Sequence, residues 1–89
     1  MIDFERWKTL SKRDQLGHIA SEIRRAIETK GSDKNIYSQI LERALELVDL
    51  SLDDQKWRDN PLPLLILRNE IAKVYIGENI NLEKVYAAL

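Results

Sequence analysis

The 89-residue chain contains no cysteine, which excludes disulfides, thiolate-ligated zinc, iron–sulfur clusters and thiol nucleophiles. Histidine occurs once, at His18, so no chemistry that needs two imidazoles from one chain can be built. Glycine and proline number three and two, too few for a collagenous, linker-like or disordered chain. Charge of one sign is lacking as well: 14 Lys and Arg against 15 Asp and Glu leave a net charge of −1. There is therefore no broad positive field to hold a nucleic-acid backbone regardless of sequence, and nucleic acid is not the expected partner. Long apolar runs are missing too. The longest, Leu62 to Leu67, is interrupted by Pro63 and closed by Arg68, far short of the ~20 residues of a membrane span. Asp3 and Glu5 fall where a secretory leader would carry its basic and apolar regions. A cytoplasmic protein with no membrane partner is the expectation.

What is present is helical periodicity. Hydrophobic residues make up 44% of the chain and recur at steps of three and four, with no stretch of strict alternation. The length suits one domain, residues 1–89, that buries roughly 64% of the surface its unfolded form exposes. The fold class read from this pattern is all-α, an antiparallel bundle of three main helices at about 12–30, 33–50 and 61–76. Shorter helices are expected near 3–9, 52–57 and 82–88.

Ser11, with Asp14 three residues on, reads as the N-cap of the first main helix, whose stripe is Leu16, Ile19, Ala20, Ile23, Ala26 and Ile27. Gly31 closes it. The second main helix is apolar over more than half its circumference through Ile36, Tyr37, Ile40, Leu41, Ala44, Leu45, Leu47 and Val48, which predicts a central helix with neighbours on both sides. Ser51-Leu52-Asp53-Asp54 repeats the Ser-x-x-Asp pattern and predicts a new short helix there, with Trp57 as a core plug. Asn60-Pro61 predicts a capped start for the third main helix, and Gly77 its end. That helix carries Leu64, Leu67, Ile71, Val74 and Tyr75 on one side and Leu65, Ala72 and Ile76 beyond it. Asn81 caps a last short helix.

Four groups of residues invite a chemical reading. Asp14, His18 and Glu22 are spaced four apart and share a helix face, where carboxylates would orient an imidazole or the three would touch one metal; the reading preferred is an exposed helix face carrying ordinary i,i+4 pairs. Arg6, Lys8, Lys12, Arg13, Arg24 and Arg25 make the N-terminal half mildly basic, and Trp7 among them would either stack a base or seal the end of the bundle. Asp49, Asp53, Asp54 and Asp59 crowd the stretch after the second main helix, but without the ligand spacing or the glycine of a calcium loop. Neither a cofactor nor a metal site is expected. The fourth group is the excess apolar surface of the C-terminal half. Leu65, Ala72, Tyr75, Ile76 and Tyr86 are the candidate interaction surface, with a second copy or a larger complex as the protein partner.

Arg13-Asp14-Gln15-Leu16-Gly17-His18 resembles the Arg-x4-6-His motif of HEPN domains, small helical bundles that include metal-independent ribonucleases. The resemblance implies that Arg13 stabilises phosphate charge while His18 serves as acid or base, in a site formed across a dimer. The motif opens the first main helix here, whereas in the family it lies near the C-terminal helices. Five residues apart on a helix, the two side chains also diverge by about 140°. The expected function is a small non-catalytic helical interaction module or accessory subunit, with a HEPN-like ribonuclease using Arg13 and His18 as the alternative.

Overall fold

In the computed structural model, which describes residues 3–89, five helices and one 3-10 turn follow in order: α1 (Phe4–Lys8), α2 (Lys12–Thr29), α3 (Lys34–Leu52), the turn Gln55–Trp57, α4 (Leu62–Tyr75) and α5 (Leu82–Ala87). There is no strand among the described residues, so the fold is all-α. No helix among them is long and apolar enough to cross a membrane.

Local chemistry explains most boundaries. The Asp3 carboxylate accepts from the Glu5 N–H at the start of α1, and the Ser11 hydroxyl from the Asp14 N–H at the start of α2. A type II turn from Thr29 to Ser32 ends α2. Its third residue needs a positive φ, and Gly31 supplies one at 88°. Asp33 then caps α3 by accepting from the Asn35 and Ile36 N–H groups. At the end of α4, Gly77 takes φ 96°, the Glu78 N–H donates to the Lys73 carbonyl and the Gly77 N–H to the Val74 carbonyl, which is a Schellman closure. Asn81 caps α5 through the Lys84 N–H.

Two boundaries depart from the sequence reading. Ser51 does not start a helix. It lies fully buried inside α3, which runs on to Leu52, and its hydroxyl accepts from the Trp7 indole N–H while donating to the Leu47 carbonyl. The short helix expected at 52–57 is only a 3-10 turn, capped by Asp54 through the Lys56 N–H. Asn60 makes no cap either: α4 begins at Leu62 with Pro61 before it and no side-chain capping bond.

The core gathers Ile19, Ile23 and Ala26 of α2, Leu41, Ala44, Leu47 and Val48 of α3, and Leu64, Leu67, Ile71 and Val74 of α4. Each such Leu, Ile or Val contributes roughly 1.5–3 kcal/mol relative to an exposed one. α3 packs on α1, α2, the 3-10 turn and α4, the central place its wide apolar arc predicts. Arg68 bonds Asp49 and, seven residues further along α4, Tyr75 bonds Glu42, seven residues back along α3, so these two helices run antiparallel. α5 closes the bundle against α2 and α4. The radius of gyration, 12.6 Å, is close to the roughly 12 Å of a single compact body of this length.

One end of the bundle is sealed by polar bonds within an apolar shell. Gln15, fully buried, donates from Nε2 to the Trp7 carbonyl (2.9 Å) and to Asp54 Oδ2 (3.0 Å), and accepts at Oε1 from the Trp57 indole (2.6 Å). Lys56 pairs with Asp54 and also donates to the Lys8 carbonyl. Every buried polar group named here has a partner, so the network ties α1, α2, α3 and the 3-10 turn together without an orphaned donor.

Candidate interaction surface

At 100° per residue, the buried positions Leu64, Leu67, Ile71 and Val74 form one side of α4. Directly opposite them stand Leu62, Leu65, Asn69, Ala72 and Ile76, at alternating steps of three and four. Ile66 widens this outer stripe. Leu62, Leu65, Ile66 and Ile76 are 59%, 48%, 55% and 73% exposed. Ala72 between them is half-buried. A helix that is apolar on two opposite sides ordinarily has neighbours on both, yet among the described residues no helix lies along this one.

The rotation of α4 about its axis is held by bonds to α3. Toward α3, Arg68 Nε donates to Asp49 Oδ1 at 2.7 Å and Tyr75 Oη to Glu42 Oε1 at 2.6 Å. The hydrogen bond to Glu42 holds the Tyr75 phenol above its ordinary pKa. On the other flank, Lys73 pairs with Glu70 at 3.8 Å within α4 itself. On that side a cleft of about 520 Å³ opens between α2, α4 and α5, walled by Leu16, Pro63, Ile66, Leu67, Val85 and Leu89. Ile66 belongs to both the cleft and the outer stripe, so the two surfaces are continuous.

Of the candidate interaction residues, Leu65, Ala72 and Ile76 share the outer stripe. Tyr75 lies at its margin, tied to α3 by the Glu42 bond. Tyr86 is on α5 next to Arg24 of α2, away from the stripe. Leu62, Asn69 and Ile66 were not among the expected residues, although extending the 3–4 spacing backward from Leu65 and Ala72 reaches Leu62 and Asn69.

The other candidate groups resolve into local roles. His18 is exposed and rests against the Trp7 ring, centroids 5.8 Å apart and planes tilted by 55°. Arg13 instead borders a shallow hollow with Lys12, Leu16, Gly17, Ala20, Trp57 and Leu89. Arg13 and His18 thus stand in different surroundings within one chain. Glu22 pairs with Arg25 at 3.4 Å, and no group of three His, Asp or Glu among the described residues converges as a metal would require. Trp7, only 1% exposed, seals the bundle end and offers no face to a base. Trp57 is a core residue, with the Lys12 ammonium 5.0 Å from its ring centroid. The clustered acids divide their labour: Asp49 pairs with Arg68, Asp53 lies at the end of α3, Asp54 caps the 3-10 turn and Asp59 pairs with Lys12 at 3.2 Å.

No protein-family model, curated protein or solved structure matches this chain.

Proposed function

We propose that the protein is a non-catalytic helical interaction module that docks through the outer stripe of α4. The observation that carries this reading is the second apolar side of α4, turned away from the core and held in fixed rotation by the Arg68–Asp49 and Tyr75–Glu42 bonds. The stripe joins an apolar cleft, which gives a partner both a ridge to lie along and a recess to fill.

The double variant Leu65→Glu/Ile76→Glu tests it. Both positions are exposed, so the fold is expected to survive, with the helical circular dichroism unchanged. Wild type should associate, with itself in light scattering or with another chain in affinity capture, and the double variant should lose that association. A wild type that stays monomeric and captures nothing the variant fails to capture would overturn the reading.

The alternative, a HEPN-like ribonuclease, requires Arg13 and His18 at one phosphate, and their separate surroundings mean that a second chain would have to supply one of them. On the docking reading, single-stranded RNA incubated with the protein stays intact. Cleavage by wild type that His18→Ala abolishes would replace docking with catalysis.

A further inference from the structure

We infer that the occupant of the α4 stripe is a second copy of this chain, laid antiparallel across a two-fold axis at Asn69. This rests on the docking reading above and names its partner.

The stripe is close to self-complementary about its midpoint. Leu62 lies seven residues before Asn69 and Ile76 seven after; Leu65 lies four before and Ala72 three after. An antiparallel pair related by a two-fold at Asn69 therefore sets Leu62 against Ile76 of the second copy and Leu65 against its Ala72, a large side chain over a small one. A parallel pair sets Ala72 against Ala72, leaving a gap between layers of Leu and Ile that close packing does not tolerate. The antiparallel arrangement also opposes the two helix dipoles.

Asn69 fits the axis. Its amide carries both a donor and an acceptor, so it can bond its own symmetry mate, and one polar residue in an apolar seam fixes register. Beside it, the aliphatic stem of Lys73 comes opposite Ile66 of the second copy while its ammonium reaches solvent.

The area suffices. Leu62, Leu65, Ile66 and Ile76 present roughly 100 Å² of apolar surface each, about 400 Å² together. Covered completely, and with an apolar share of about 60%, they support an interface of at most roughly 650 Å² per copy and about 1,300 Å² in all, at the lower end of the ~1,200–2,000 Å² of stable pairs.

The absence of cysteine makes the test clean, because each introduced thiol is the only one in its chain. Light scattering of wild type at submillimolar concentration should give about twice 10.4 kDa. Under mild oxidation, Asn69→Cys should cross-link to itself. Leu62→Cys mixed with Ile76→Cys should give a mixed disulfide dimer in several-fold excess over either variant alone. Ser21→Cys, exposed on α2, should not cross-link, and circular dichroism of each variant confirms folding. A dimer in which Leu62→Cys and Ile76→Cys each prefer to self-link would overturn the antiparallel arrangement and leave docking through α4 intact. A wild type that remains monomeric would overturn the second copy as occupant. If capture of another chain is still lost in Leu65→Glu/Ile76→Glu, the docking reading survives that result; if no α4-dependent capture is seen, both fall.

Discussion

Two indole N–H groups lie buried at one end of the bundle, and each needs an acceptor. Trp7 finds the Ser51 hydroxyl and Trp57 the Gln15 amide, 44 and 42 residues away in the chain. Periodicity does not show which residues such bonds join. Gln15 falls four residues before Ile19 and so on the buried side of α2, but its spacing names no partner for its amide, and Ser51 reads as a helix start. Only the requirement that buried Trp N–H groups be satisfied would have pointed to them. Asp54 completes the network, and its ionisation matters. Burial pushes its carboxyl up, but the bonds from Lys56, Gln15 and the Lys56 N–H outweigh this and hold it below the usual carboxylate range. A native-state value below the unfolded one stabilises the fold fully above about pH 4, and that contribution is lost as pH falls through the native value. Urea midpoints should therefore drop between pH 5 and pH 3. Asp54→Asn should be destabilised at pH 6, because an amide nitrogen would face the Gln15 and Lys56 donors, and its acid limb should be flatter. An unchanged acid limb in Asp54→Asn would show that Asp54 does not contribute.

Among the elements, α2, α3 and α4 were legible within a residue or two, since caps and glycines announce them: Ser11, Gly31, Asp33 and Gly77 each do the local work their chemistry implies. The misread stretch was 51–57, where Ser-x-x-Asp mimics a capping pattern but the second apolar helix simply continues, drawn on by the burial of Ser51 beneath Trp7. The Schellman closure of α4 sets where the outer stripe ends, with Ile76 immediately before Gly77. At Gly77 an added Cβ meets no atom within 4 Å, so Gly77→Ala carries only the backbone cost of a positive φ. It should lower stability by about 1 kcal/mol in chemical denaturation. A neutral result would mean that the end of α4 relaxes readily and that Ile76 is less firmly placed than its closure implies.

At the scale of the whole molecule, the chain is short and its core correspondingly lean, yet α4 leaves an apolar side unspent. Three of the five expected interaction residues, Leu65, Ala72 and Ile76, fall together there because one helix carries them at coiled-coil spacing. Tyr75 and Tyr86 could not be placed from the sequence, since Tyr75 is tied to Glu42 of α3 and the position of Tyr86 follows from how α5 packs on α2 and α4. On the proposed reading, the bundle completes its packing by association. Sedimentation equilibrium of wild type and of Leu65→Glu/Ile76→Glu, at matched submillimolar concentrations, tests this most directly. The predicted result is a mass near twice 10.4 kDa for wild type and 10.4 kDa for the double variant. Two masses of 10.4 kDa would contradict self-association through α4.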